Sequence, residues 1–257
     1  MRIEKLNADQ KKETIAIARA ALKPLSEEAQ TAEKAIEAFF ESHIDRYEII
    51  GAFEEDRLTG FAAYDPERFM IVFTAVLPEK QRRGTGRQMI EFIRDEAAGR
   101  HMSRLNVNAP QDVSLFFEAC GFEKDGQPVD TGETKIHPME YLLGREYIGK
   151  TVTVIVDRPY GSFHPHNPDV LYPLNYGFID ENTDEDAEFH DAYIYGPEEP
   201  LESFKGTVIG MICHKDGPSR FIVGRIGEQF DPKDVMETVA FEEQYYDTRF
   251  IWKNLMH

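Results

Sequence analysis

Two stretches of the chain carry residue types and spacings that could do chemistry. The first is Gln81-Arg-Arg-Gly-Thr-Gly-Arg87, two glycines among arginines, set between an apolar β-branched run (Met70 to Val76) and a run of helical period, Gln88 to Ala97. Glycine lets the backbone turn tightly and approach a ligand closely. The first N–H groups of the helix that follows have no intrahelical partner. An anion is expected at such a turn, most often a phosphate, because the helix dipole and the free N–H groups act together. On the glycines alone, an ordinary strand-to-helix turn is the plain alternative. The dinucleotide fingerprint needs a third glycine and the Walker loop a Gly-Lys-Ser/Thr, so neither fits.

The second stretch is aromatic and acidic. Tyr172-Pro-Leu-Asn-Tyr-Gly-Phe178 precedes an acid-rich loop and the carboxylates Asp186, Glu188 and Asp191, with Asp216 further on. Carboxylates gathered on a loop entering a strand suit Mg²⁺, a hard cation that takes oxygen ligands and bridges phosphate oxygens. Tyr176 would then offer a hydroxyl to a phosphate oxygen. A solvated charge run is the plain reading of the acidic loop taken alone.

Composition narrows the partners. The formal net charge is -18 over 257 residues, which repels nucleic acid and anionic membrane surfaces. Residues 1–144 hold 19 Lys and Arg against 26 Asp and Glu, and residues 145–257 hold 10 against 21, so the second half is the more acidic. No run approaches the roughly 18 apolar residues of a membrane span, and the start, Met-Arg-Ile-Glu-Lys-Leu, lacks the apolar region of a secretion signal. With Cys120 and Cys213 far apart in sequence, a disulfide framework is not expected. The cytoplasm is the expected location.

The elements that must position these residues read in two blocks. In the first, a short strand at Met1–Leu6 leads to helices over Ala8–Leu22 and from about Ser26 to His43. A hairpin over Tyr47–Phe53 and Leu58–Tyr64 follows, then the strand before the glycine turn, the helix after it, a strand at Arg104–Asn108 and a helix over Asp112–Cys120. In the second block, short β-branched or aromatic runs at Thr151–Val156, Leu171–Ile179, Asp191–Tyr195, Thr207–Cys213 and Phe221–Ile226 argue a small barrel. A closing helix is expected from Asp231 to about Trp252, with Val235, Val239, Tyr245 and Ile251 covering the barrel. The joint falls at Leu143–Gly149, giving expected domains of residues 1–143 and 145–257.

Gln81-Arg82-Arg83-Gly84-Thr85-Gly86 after a strand ending in Val76-Leu-Pro resembles the Q/R-x-x-G-x-G/A signature of the GNAT superfamily of N-acetyltransferases. Leu115-Phe-Phe-Glu-Ala-Cys-Gly-Phe122 is similar to that family's closing F-Y-E-x-x-G-F helix, and His137-Pro-Met-Glu-Tyr-Leu-Leu143 to one of its last strands. The resemblance implies an α/β (α+β) fold, a mixed twisted sheet with helices, over residues 1–143. It also implies acetyl-CoA as cosubstrate, held through its pyrophosphate by Val76, Gln81, Arg82, Arg83, Gly84, Thr85, Gly86 and Arg87, and a small-molecule or peptide amine as acceptor. Phe117 stands where the family often has a tyrosine that protonates the departing thiolate. The family's frequent strand acid falls near Val72, leaving Glu67, His43 and His101 as substitute bases and Asn108 as the nearest match to its asparagine.

The second block resembles the soluble family I inorganic pyrophosphatases: Tyr172–Phe178 their Y-P-x-N-Y-G-Y/F segment, Asp186–Asp191 their D-G-D-x-x-D, and Val154–Pro159 their V-I-E-I-P. That resemblance implies an OB-like barrel, Mg²⁺ on Asp186, Glu188, Asp191 and Asp216, and pyrophosphate handled by Tyr176, Arg220 and Asp191. Departures are marked. The family's D-x-x-G-E-D-x-K loop appears as Asp216-Gly-Pro-Ser-Arg220, the helix Tyr-Lys pair appears as Tyr245-Tyr-Asp247, and His164 and His166 stand where Arg or Lys is usual. The sequence therefore leaves three functions open: acetyl transfer, phosphoanhydride hydrolysis, and a module that senses acyl-CoA or phosphate metabolites without turnover.

Overall fold

The structure, a computed structural model of the chain, describes residues 1–11, 13–21, 46–164, 167–180, 190–215 and 217–253. The expected helix from Ser26 to His43 lies outside them. Contacts divide the chain into two compact units, one built on the segments up to Ala97 and Arg104–Tyr141, the other on Ala98–Ser103 and the chain from Leu142 on.

In the first unit, β1 (Arg2–Lys5) precedes two short helices, α1 (Ala8–Lys11) and α2 (Glu13–Ala21). Strands β2 (Glu48–Glu54), β3 (Arg57–Asp65) and β4 (Met70–Val76) follow, then helix α3 (Thr85–Ala98), β5 (Arg104–Pro110), helix α4 (Ser114–Ala119), the two-residue strands β6 (Glu123–Lys124) and β7 (Val129–Asp130), and β8 (Lys135–Leu142). They form one mixed sheet in the order β1-β2-β3-β4-β5-β8-β6, with β7 also on β8. The expected hairpin over Tyr47–Phe53 and Leu58–Tyr64 forms between β2 and β3, with Glu54 paired to Arg57 at its turn. Ile17 and Ala18, one helical turn face of α2, pack with Ile49, Phe61, Ala63 and Ala75 of the sheet, and Phe61 stacks on Phe73 at 5.4 Å between ring centroids. Each large apolar side chain so buried contributes roughly 1.5–3 kcal/mol, enough in sum to hold a short helix that would be marginal alone.

The second unit is a closed five-stranded barrel. Its strands β9 (Thr151–Arg158), β12 (Asn175–Ile179), β13 (His190–Ile194), β15 (Arg220–Gly224) and β14 (Ser203–His214) pair in that order, and β14 returns to β9. A hairpin of β10 (Phe163–His164) and β11 (Asn167–Leu171) stands apart, and β16 (Thr248–Trp252) adds to β14. Helix α5 (Pro232–Glu243) is capped by Asp231, whose carboxylate accepts from Lys233 N at 2.9 Å, with proline at the first helical position. The barrel strands bury both faces. Ala192, Ile194, Phe221 and Val223 belong to one cluster, and the alternate residues Tyr193 and Ile222 to another with Val235 and Val239 of α5. That is why these strands read as continuous apolar runs.

The closing helix is shorter than its sequence suggests. It stops at Glu243, and Thr248-Arg-Phe-Ile-Trp252, rich in β-branched and aromatic residues, forms a strand. Val235 and Val239 are buried as expected, whereas Tyr245 is exposed and Ile251 sits on β16.

Two residues of the Tyr172–Phe178 segment are structural. Buried Asn175 accepts from Tyr160 N (2.9 Å) and Leu201 N (3.0 Å) and donates to Glu199 O (3.0 Å), tying three pieces of chain together. At Gly177 a Cβ would stand 1.8 Å from the Ile155 carbonyl oxygen of the neighbouring strand. Gly177→Ala is therefore expected to destabilise this unit at or beyond the upper end of the roughly 1–3 kcal/mol typical of overpacking. Urea unfolding followed by the fluorescence of Trp252, the chain's single tryptophan and buried in this unit, checks it; an unmoved midpoint would mean that the strands separate easily there.

Candidate functional site

In the first unit the sheet opens where the glycine turn begins to act. On β4, Ile71 pairs with Tyr64 and Phe73 with Ala63, so Val72 is an extra residue, a bulge against β3. Bulges bend a strand and end its pairing. Consistent with that, β4 and β5 pair in parallel only at Met70↔Asn106 and Ile71↔Val107. Beyond Val72 the two strands part, and the β5-facing edge of β4 has no strand partner among the described residues. A wedge results, with its apex at Ile71 and Val107 and its mouth at Val76, where the chain enters the Gln81–Arg87 turn.

That turn is built by a few specific bonds. A 3₁₀ turn, Pro78–Lys80, leads out of β4, and Gln81 Nε2 donates back to Val76 O at 3.0 Å. Arg82 and Gly84 take positive φ, 59° and 87°, and a Cβ on Gly84 would meet nothing within 4 Å, so this glycine faces open space. Gly84 O accepts from Gln88 N at 3.0 Å, the first bond of α3. The N–H groups of Thr85, Gly86 and Arg87 thus precede the helical ladder. Gly86 serves packing instead: its Cβ would lie 3.0 Å from the Phe116 ring. Of the cations, Lys80 is paired with Glu54, and Arg87 donates to Ala119 O at 2.6 Å. Arg82 and Arg83 are exposed. Among the eight residues read as a cofactor cradle, Gln81, Gly86 and Arg87 therefore have side-chain or packing duties, and Arg82, Arg83, Gly84 and the backbone N–H groups remain to meet an anion.

Phe117 is buried edge-on between Phe116 (5.0 Å) and Phe122 (5.4 Å) and has no hydroxyl to offer a thiolate. Burial pushes the neighbouring Cys120 thiol up, which makes it a packed side chain rather than a nucleophile. Neither cysteine is in a disulfide. As for substitute bases, Glu67 lies in a turn capped by Asp65 Oδ1 (2.9 Å) before β4, and His101 lies in the turn after α3. Neither is on the strands that form the wedge, and His43 is outside the described residues. Asn108 is exposed on β5, one residue past the last pair with β4.

In the second unit, strand alternation brings three expected residues together. Asp191 shares a face of β13 with Tyr193, Arg220 begins β15 on the face of Ile222, and Tyr176 packs in the same cluster. Tyr176 is hydrogen-bonded to Asp191; burial, with Asp191 adding to it and Arg220 opposing it, raises its hydroxyl well above the usual phenol range. It stays a neutral donor. Arg220, however, is already engaged: Nη1 donates to Glu243 Oε1 at 2.6 Å and to Tyr193 Oη at 2.9 Å, and Nη2 lies 3.0 Å from Glu242 Oε1. His214 Nε2 lies 2.8 Å from the other oxygen of Glu243. Arg158 stacks over the Tyr176 ring at 4.8 Å and hydrogen-bonds Tyr172 Oη at 3.3 Å. Tyr172 is pushed up to about 12 by burial and by Glu242.

Reading the sequence missed Glu242, Glu243, Tyr193 and His214. Two adjacent acids in the last turn of a helix oppose its dipole and call for a cationic partner, but with the helix expected to run on to about Trp252, Glu242 and Glu243 read as mid-helix surface. Of the expected metal ligands, Asp186, Glu188 and Asp216 lie outside the described residues, and only Asp191 is seen, bonded to Tyr176. Among the described residues no group of three or more His, Cys, Asp or Glu could hold a metal ion, and no helix is long and apolar enough to cross a membrane.

Comparison with known proteins gives a family for the first unit. Over 55% of its length the chain is similar in structure to a GCN5-related N-acetyltransferase from Rhodopseudomonas palustris, at 24% identity, 95% of that chain and a TM-score of 0.48. The ribosomal-protein-S18-alanine N-acetyltransferase from Escherichia coli matches 55% of the chain at 20% identity, 93% of that chain and a TM-score of 0.44. The PaiA N-acetyltransferase from Thermoplasma acidophilum, solved in complex with coenzyme A, matches 55% at 16% identity, 99% of that chain and a TM-score of 0.45. No curated protein matches in sequence. The family model described as acetyltransferase (GNAT) domain matches residues 14–143, just over half of the chain, so the chain belongs to the GNAT acetyltransferase family.

Proposed function

We propose that the chain transfers an acetyl group from acetyl-CoA to the amine of a small molecule or peptide. The wedge that opens at the Val72 bulge and ends in the Gly84 turn carries this reading. Arg82, Arg83 and the N–H groups at the start of α3 would take the pyrophosphate. The pantetheine arm would then lie along the free edge of β4, where unpaired backbone groups can bond its amides. The amine nitrogen adds to the thioester carbonyl carbon, the C–S bond breaks as the carbonyl re-forms, and the thiolate takes a proton. Phe117 cannot supply that proton, so it would come from solvent or the amine. The chain would thereby forgo the roughly 10²- to 10⁴-fold that a placed acid contributes, while keeping the gain from orientation.

For the barrel we favour a pyrophosphatase-type fold without pyrophosphate hydrolysis. Arg220 is neutralised by Glu242 and Glu243, so it does not offer its charge to a leaving phosphate. Mg²⁺ on Asp186, Glu188, Asp191 and Asp216 remains part of the alternative reading as a phosphoanhydride hydrolase. Titration of the purified chain with acetyl-CoA, and separately with Mg²⁺ and pyrophosphate, while thiol and phosphate release are followed, tests both. Acetyl-CoA binding with slow thiol release and no phosphate release is the expected result. No acetyl-CoA binding at millimolar concentration would remove the first reading, and rapid phosphate release the second.

A further inference from the structure

We propose that the barrel unit binds a free amino acid with a small apolar side chain, in a cavity that neither the glycine turn nor the Tyr176–Asp191–Arg220 cluster uses. The cavity holds about 160 Å³, and Thr207 and Ile209 of β14, Arg225 and Glu228 after β15, Phe230 before α5 and Lys253 after β16 line it. Since a cavity of about 150 Å³ takes up benzene, a ligand of roughly six to eight non-hydrogen atoms fits. The inference does not depend on acetyl transfer.

Strand register makes the space. Val208 pairs with Val223 and Gly210 with Ile222, so Ile209 is one residue too many against β15, a bulge of the kind that re-aims a side chain beside a site. Ile209 is 3% exposed, and Phe230 packs on Trp252 at 5.6 Å between ring centroids. Together they give the cavity an apolar wall. Thr207 beside them is 6% exposed, and its hydroxyl has no hydrogen-bond partner among the described residues. A nearly buried hydroxyl without a partner destabilises the fold, and a ligand oxygen in the cavity would satisfy it.

Charge decides which ligand. Residues 145–257 hold 10 Lys and Arg against 21 Asp and Glu, yet two cations, Arg225 and Lys253, meet one acid, Glu228, at this cavity. Lys253 has no carboxylate partner among the described residues. Arg225 Nη1 lies 3.7 Å from Glu228 Oε1, too far for a hydrogen bond, so both groups can still bond a ligand. A simple anion would be drawn to the cations but repelled by Glu228 and by the chain's net charge of -18. A simple cation would face Arg225 and Lys253. A zwitterion has no net charge to be repelled and uses every group: its carboxylate accepts from Lys253, Arg225 and the Thr207 hydroxyl, its ammonium donates to Glu228, and its side chain rests on Ile209 and Phe230.

The test is calorimetric titration of the full chain, without acetyl-CoA, using valine, isovalerate (valine without its ammonium) and isobutylamine (valine without its carboxylate) as probes. Valine is expected to saturate with a Kd of about 0.1–1 mM, inside the limit for a ligand of its size. Isovalerate and isobutylamine should each bind at least about tenfold more weakly, because each loses its charge-assisted bonds. Thr207→Val, nearly unchanged in shape, should weaken valine about three- to tenfold, the range of one neutral hydrogen bond. Lys253→Gln and Glu228→Gln change exposed side chains, so the fold should persist, and each should weaken valine by a similar three- to tenfold or so, since solvent screens part of the charge. No saturable binding of valine up to about 20 mM would overturn the proposal. So would wild-type affinity for valine in all three variants, which would put the amino acid elsewhere on the chain. Isovalerate binding as tightly as valine would overturn the assignment to an amino acid.

Discussion

Glu243→Ala is expected to destabilise the barrel unit by about 3–5 kcal/mol, the cost of removing one partner from a buried ion pair. The carboxylate is 4% exposed and takes bonds from Tyr193 Oη (2.7 Å), Arg220 Nη1 (2.6 Å) and His214 Nε2 (2.8 Å). Truncation leaves the Arg220 guanidinium with Glu242 as its remaining carboxylate partner and leaves His214 and Tyr193 facing a cavity. The sign of the accompanying pH effect follows from the carboxyl's own titration. Burial by itself would raise it, but the bonds from His214 and Tyr193 and the charge of Arg220 more than offset that and hold it below the ordinary range. A depressed carboxyl contributes its stability in full above the unfolded value, about 4.3 for glutamate, and loses it as pH falls through the folded value. Wild type should therefore lose stability more steeply than Glu243→Gln as pH drops below that value. Urea unfolding of both, followed through Trp252 at several acidic pH values, measures the difference. Parallel curves would mean that the carboxyl is not the group linked to acid unfolding.

The contrast between this cluster and the glycine turn explains how much the sequence could reveal. Met70–Val76, the Gln81–Arg87 turn and α3 are contiguous, so local period and turn chemistry locate them, and the described strands of the first unit fall near their expected places. The wedge itself was not legible. It depends on Val72 being one residue too many against β3, a matter of register between strands that no single-strand pattern contains. Gly84 and Gly86 look alike in sequence and differ in space, the first holding a positive φ over open ground, the second making room for Phe116, which comes from a segment some thirty residues later. In the barrel, Tyr176, Asp191 and Arg220 could be named from resemblance. Their charge state could not, because the compensating acids come from α5, and the end of that helix was misplaced by nine residues, Glu243 for Trp252.

Acetyl-CoA affinity is expected to fall at least about tenfold in Gly84→Val, and by roughly 10- to 100-fold in Arg82→Ala/Arg83→Ala, the equivalent of about one charge-assisted hydrogen bond to a phosphate at 1.5–3 kcal/mol, since solvent screening weakens what two exposed arginines contribute. The two effects have different origins. Valine at φ 87° is disfavoured in the left-handed region by roughly 1–2 kcal/mol, so the turn that aims the N–H groups of Thr85–Arg87 would relax away from the anion. The arginine changes leave the backbone cradle intact and remove charge alone. Their loss should therefore shrink as salt is added, because exposed charges are screened over about 8 Å at physiological ionic strength, while the Gly84→Val loss should persist. Melting temperature gives the control. Gly84 meets no neighbour, so Gly84→Val should lose no more stability than that roughly 1–2 kcal/mol of backbone strain, whereas Gly86→Val, driven into the Phe116 ring, should melt lower still with or without ligand. Calorimetric titration at low and high salt, beside thermal melts of the four proteins, separates anion binding from packing. Wild-type affinity in Gly84→Val and in the double arginine variant would place the pyrophosphate somewhere other than this turn.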